Sequence, residues 1–224
     1  MNLILQSIGA NSPTIFPAYK DLSKYVPLDL SVNNTKLMSQ GFKNPDDYND
    51  FIFQMMSDLG GQVGYGGYFE ERRWYQQSAV FDDGSEPRDI HLGLDLWVPD
   101  GTEIVAPLDG KVKYIKNNNN FLDYGPTIIL EHSIENITFY SLYGHLSVSS
   151  LEFLKEGQTV KQGQTIAWVG SSPTNGQWPA HLHLQLMLDL LGIVGDFPGV
   201  SEKSKMEMYR EICPNPELLL GLKR

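Results

Sequence analysis

From residue 181 to residue 188 the chain alternates without a break. His181, His183, Gln185 and Met187 fall on odd positions, and Leu182, Leu184, Leu186 and Leu188 on even ones. In a strand, residues two apart share a face, whereas a helix would scatter both sets around its axis. The stretch is therefore expected to be a strand with one leucine face turned to a core. Its other face sets two imidazoles side by side.

A second stretch repeats the pattern. In HLGLDLWV, His91, Gly93, Asp95 and Trp97 oppose Leu92, Leu94, Leu96 and Val98. Around these two, KVKYI, TIILEH, ITFYSLY and TIAWVG are rich in β-branched and aromatic residues and read as strands. PDG at 99–101 and LDG at 108–110 read as turns, and KNNNNFLDYG as a loop. Short strands at this spacing predict a mainly β chain, a sandwich or barrel-like core over residues 81–190. Residues 1–80 read as a partly helical N-terminal extension, with a helix in NPDDYNDFIFQMMSDLGG followed by a glycine- and aromatic-rich connector that includes Arg72 and Arg73. Residues 191–224 read as a helical tail, SEKSKMEMYREI being stopped by CPNP. With 41% hydrophobic residues in 224, a sizeable core is available. A single cysteine, Cys213, rules out an intrachain disulfide and a cysteine-rich zinc knot.

Four of the five histidines lie in patterned positions. His91 and Asp95 are four apart, His181 and His183 two apart, and His145 follows a strand-like run in YGHL. A catalytic zinc site takes three nitrogen or oxygen ligands and leaves one position open. His91, Asp95 and one histidine of HLH supply such a set. The other HLH histidine and His145 then remain as unligated imidazoles, able to take a proton from water or to stabilise charge on a carbonyl oxygen. His132 lacks such a partner in sequence and reads as structural or rim-lining.

The ordered segments RDIHLGLDLWVPDGTEIVAPLDGKV, YGPTIILEHSIENITFYSLYGHLS, LKEGQTVKQGQTIAWVGSS and HLHLQL resemble those of the lysostaphin/LytM-type zinc metallopeptidases. The resemblance runs from about Arg88 to Met187. It implies a compact antiparallel β-sandwich or barrel-sandwich-like domain, with Zn2+ held by His91, Asp95 and His183 and with His145 and His181 as catalytic, non-ligand histidines. The implied reaction is hydrolysis of a peptide bond, in peptidoglycan or in another small peptide. Latent members of such a family fill the open zinc position with an upstream side chain. An Asn, Glu or Tyr around GGYFEE is expected to play that part here, so the N-terminal extension is expected to pack on or cover the groove.

Two departures from the pattern stand out. Gln185 replaces the acidic residue usual two positions after the second HLH histidine, and the loop before HLH is altered to GSSPTNGQWPA. A net charge of −10, from 17 basic against 27 acidic residues, argues against nucleic acid or an anionic membrane as partner, and against electrostatic attraction to anionic wall polymers. The first residues lack a basic cluster followed by a long apolar run, so a cytoplasmic location is expected. The alternative to an enzyme is a non-catalytic binding or regulatory module of the same fold. A lipoyl- or biotinyl-type carrier domain is disfavoured because its modified-lysine motif is missing.

Overall fold

The computed structural model describes residues 1–11, 13–40, 42, 45–72 and 86–222. Along the N-terminal part lie helix α1 (Asn2–Gly9), strand β1 (Tyr25–Pro27), helices α2 (Thr35–Met38) and α3 (Pro45–Asp58), and strand β2 (Val63–Gly66). The patterned part contributes β3 (Arg88–His91), β4 (Leu94–Trp97), β5 (Glu103–Val105), β6 (Gly110–Asn118), β7 (Gly125–Ile134) and β8 (Ile137–Gly144). The short helix α4 (Ser150–Phe153), β9 (Thr159–Val160), β10 (Thr165–Trp168) and β11 (His181–Met187) complete it. Strand β12 (Val200–Glu202) and helices α5 (Met206–Ile212) and α6 (Pro216–Leu220) close the chain. No helix among the described residues is long and apolar enough to cross a membrane.

Eight strands form one sheet in the order β1-β2-β4-β11-β8-β7-β6-β9. Every pairing is antiparallel except that of β1 with β2, which makes the sheet mixed. The fold is mainly β, as the strand pattern predicts. Strands β5 and β10 form a separate antiparallel pair, as do β3 and β12. The hairpin joining β7 to β8 turns through Glu135 and Asn136, both at positive φ (50° and 65°), which matches the twist that a two-residue turn must follow.

The even positions of β11 build the core. Leu182, Leu184 and Leu186 are fully buried and pack with Leu94, Leu96, Val98, Ile128 and Leu130. Burying each such side chain contributes about 1.5–3 kcal/mol, so the period-2 pattern specifies the face strongly. On the opposite side of the sheet a second cluster gathers Leu92, Tyr124, Leu142, Met187, Phe197, Tyr209 and Cys213. Cys213 is buried there, and burial pushes its thiol up to about 12. Helix α3 packs Tyr48, Ile52 and Met56 against Leu28, Leu30 and Trp97.

Three local readings change in the structure. HLGLDLWV is two strands rather than one, because the ladder breaks at Leu92 and Gly93: β3 pairs with β12, while β4 enters the large sheet. The asparagine run does not begin as a loop, since β6 continues to Asn118 opposite Gly125. Pairing overrides the poor strand propensity of asparagine there, and the buried Asn118 amide donates to Thr127 Oγ1 and Gly195 O, both at 3.1 Å. Helices α1 and α6 pack together at the ends of the described chain, and neither has the long apolar period that announces a helix in sequence. Within the N-terminal part, β2 pairs directly with β4 and extends the large sheet. The boundary at residues 80 and 81, and Arg73, Trp74 and Tyr75 of the connector, fall outside the described residues.

Candidate metal centre

Register places the polar face of β11. His181 lies opposite Trp97 and His183 opposite Asp95 on β4, while on the other flank His183 faces Gly144 of β8. His145 follows Gly144 and bends back towards the same place. The chain passes close behind His183 at Gly93, where a Cβ would come within 2.5 Å of the His183 ring. A side chain at 93 would displace that imidazole, so the break between β3 and β4 is part of how the site is built.

His91, Asp95 and His183 meet at a point. His91 Nε2 is 3.0 Å from His183 Nδ1, His183 Nδ1 is 3.1 Å from Asp95 Oδ1, and His91 Nε2 is 3.3 Å from the same oxygen. All three residues are 2% exposed. Among the described residues they form the one group of histidine, cysteine and carboxylate side chains arranged to hold a metal ion.

The outer partners set the tautomers, since each ring N–H goes where an acceptor waits. His91 Nδ1 donates to Gly67 O at 2.9 Å, and His183 Nε2 donates to Gln185 Oε1 at 3.0 Å. The nitrogens left facing each other, His91 Nε2 and His183 Nδ1, then both carry lone pairs, beside a carboxylate oxygen. Three acceptors at this spacing repel unless a cation lies between them. About 3.3 Å is also the edge of a tetrahedron whose ligands sit about 2.0–2.1 Å from a zinc ion. The donor set thus fits zinc.

The two remaining histidines are oriented in the same way. His145 Nδ1 donates to Asn175 O at 2.8 Å, and His181 Nδ1 to Pro179 O at 2.7 Å. Each Nε2 is therefore left unprotonated, and that of His181 lies 3.7 Å from Asp95 Oδ1. Their rings lie 4.3 Å apart, and His181 stacks on Trp97 at 5.7 Å. The altered loop before HLH supplies both anchoring carbonyls. The Asn175 amide stiffens that loop by donating to Trp178 O and accepting from Trp178 N. Gln185 is likewise integrated, its amide donating to Pro198 O and reaching Cys213 Sγ.

Charge in this pocket is tightly held. Burial favours the neutral acid of Asp95, but the adjacent His91 and Arg72 outweigh it and keep the carboxyl well below its usual range. Burial drives His91 down to about 4, against the pull of Asp95. Burial also lowers His145, helped by the neighbouring His181 and His183, and lowers His181. Between pH about 4 and 6.5 the unfolded chain therefore binds more protons at His91 than the folded one. The metal-free protein is expected to gain stability as pH rises through that window. Thermal melts in chelator from pH 4.5 to 7 read this directly, and a melting temperature that stays flat or falls would contradict it.

The centre lies in a cleft of about 250 Å³ walled by Tyr48, Trp97, Tyr124, Trp178 and Phe197. His132 is absent from its lining. It bonds Asp109 O and Ser141 Oγ beneath the sheet and is structural. Sequence reasoning missed Arg72, whose Nη1 is 2.5 Å from Asp95 Oδ2. Of the upstream side chains expected near the centre, Glu70 pairs with Arg72 at 2.6 Å and the Tyr68 hydroxyl donates to Cys213 O at 2.8 Å. The clue to Arg72 was its place in a glycine-rich segment just before the first patterned strand, which reads equally well as a solvated connector. Tyr124, whose hydroxyl is 3.4 Å from both His183 Nε2 and Gln185 Oε1, was also missed.

Residues 89–191 match the model of Peptidase family M23. Over that stretch, just under half of its length, the chain is similar to the M23 peptidases. Over 94 residues it is 36% identical to the lipoprotein YgeR of Escherichia coli, which covers 42% of this chain and 33% of that protein. It is 31% identical over 114 residues to the murein hydrolase activator NlpD of Escherichia coli, covering 51% of this chain and 27% of NlpD. Among solved structures, the catalytic domain of lysostaphin from Staphylococcus simulans is 26% identical over 55% of this chain and 80% of that one, with a TM-score of 0.37. LytU is 28% identical over 66% of this chain and 90% of that one, with a TM-score of 0.39. The M23 stretch thus spans a third or less of these two curated relatives. They also correct the expected location: lipoproteins and a murein hydrolase activator belong to the cell envelope, so the cytoplasmic placement read from the first residues does not stand.

Proposed function

We propose that this chain is a zinc-dependent peptidase of the cell envelope that hydrolyses a peptide bond in peptidoglycan. The observation that carries this reading is the convergence of three lone-pair donors on one point, with two neutral imidazoles beside it in the same cleft. His91 Nε2, Asp95 Oδ1 and His183 Nδ1 would hold the ion. When bound, zinc polarises a carbonyl and lowers the pKa of a coordinated water to about 7.

The chain's own residues do the rest. His145 and His181 each present an unprotonated Nε2, held in that tautomer by Asn175 O and Pro179 O. One accepts the proton of the attacking water and passes it to the leaving amine. Two imidazoles this close do not both take a proton readily, because like charges disfavour each other. The pair therefore serves as one base and one group able to stabilise charge on the carbonyl oxygen. Trp178 and Tyr124 flank the cleft and hold an extended peptide against it.

The test is digestion of purified peptidoglycan and of stem and cross-bridge peptides by the zinc-loaded chain, with products read by mass spectrometry. Expected is the release of new amino termini, abolished by chelator. A zinc-bound chain that cleaves none of these substrates refutes the peptidase reading. The similarity to NlpD supports a second reading, a non-catalytic module that activates a murein hydrolase. That module would bind zinc without turnover and accelerate a hydrolase added to the same digest.

A further inference from the structure

Arg72 is held more firmly than a surface arginine. Its Nη1 contacts Asp95 Oδ2 at 2.5 Å and its Nε contacts Glu70 Oε2 at 2.6 Å. Glu70 is itself tied down, its Oε1 accepting from Leu30 N at 3.1 Å. The Arg72 backbone N–H donates to Asp89 O at 2.8 Å. The guanidinium lies 5.6 Å from the Trp97 ring, whose plane stacks on His181. Arg72 is 5% exposed, so its charge is largely removed from water.

The two oxygens of Asp95 are thus divided. Oδ1 faces His91 and His183, and Oδ2 faces Arg72. Among the described residues, the charges in contact here are those of Glu70, Arg72 and Asp95, which sum to −1. A divalent ion brings the group to +1. Without the guanidinium the same residues would sum to −2, and the ion would neutralise them. A buried group prefers neutrality.

Resting on the metal-centre reading above, we propose that Arg72 is a positioning residue and resident counter-ion of the centre. It presents Asp95 to the metal through one oxygen and holds metal affinity below what the three ligands would reach alone. In the metal-free chain it neutralises the Asp95 carboxylate and keeps the site formed. The metal must then bind beside a fixed positive charge.

The test measures zinc affinity of the full chain, stripped with chelator and titrated against a fluorescent zinc chelator, with melting curves on the same samples. Arg72→Gln, which keeps N–H donors and removes the charge, is expected to tighten zinc binding about tenfold or more. It should also lower the metal-free melting temperature and enlarge the rise that zinc produces. Arg72→Lys, which keeps the charge, should stay within about threefold of the parent. Glu70→Gln, which removes the partner that offsets Arg72, should weaken binding severalfold. An Arg72→Gln chain that binds zinc no more tightly than the parent overturns the proposal. If that variant fails to fold, an unchanged or tighter Glu70→Gln chain overturns it equally. A parent chain that takes up no zinc would instead reject the metal-centre reading itself.

Discussion

Asp95→Ala is expected to abolish zinc binding at the proposed centre and to lower the stability of the metal-free protein by about 3–5 kcal/mol. Asp95 is 2% exposed. Its Oδ2 pairs with Arg72, and its Oδ1 lies 3.1 Å from His183 and 3.3 Å from His91. Truncation removes one of three candidate ligand atoms and strips the buried guanidinium of one of the two carboxylates it contacts among the described residues. The second effect needs no metal, so urea unfolding in chelator isolates it, while metal analysis of the purified variant reads the first. An Asp95→Ala chain that keeps stoichiometric zinc, or that loses less than about 1 kcal/mol, would show that these contacts do not carry the site.

His145→Ala gives the second large effect, with the opposite signature. His145 does not belong to the three-atom cluster, so zinc should stay bound. Hydrolysis should fall about 10²–10⁴-fold, the usual contribution of a positioned general base. His181→Ala should behave alike. The double variant should be little worse than the weaker single, because groups that act as a unit are not additive. The measurement is turnover of a wall-peptide substrate beside zinc content for all three variants. A His145→Ala chain that keeps its zinc and its rate would remove the histidine pair from the chemistry, and would favour the activator reading suggested by the NlpD similarity.

Much of this site is visible in local pattern. The HLHLQLM alternation has a period of two, and a strand with one buried face is the structure that satisfies it. The leucines at 182, 184 and 186 then force His181 and His183 to one side whatever the rest of the chain does. HLGLDLWV behaves in the same way up to its break, and there local pattern falls short. Nothing in the residues themselves says that the Leu92–Gly93 pair leaves one sheet and enters another. That choice depends on β12 arriving beside β3 and on the His183 ring filling the space behind Gly93. Asn117 and Asn118 mislead for a similar reason: their weak strand preference yields to a partner strand supplied by β7.

The sequence by itself determined which residues face the core, which face away from it, and that histidines and an aspartate occupy the second set. Hydrophobic periodicity is a property of neighbouring residues, so it survives without knowledge of the fold. Only the tertiary structure decided that strand register sets His183 opposite Asp95, that the Gly67 carbonyl orients His91, and that Arg72 lies on Asp95. Those contacts join residues 88, 24 and 23 positions apart. Their energies come from a buried, low-dielectric pocket that exists only once distant strands have closed around it.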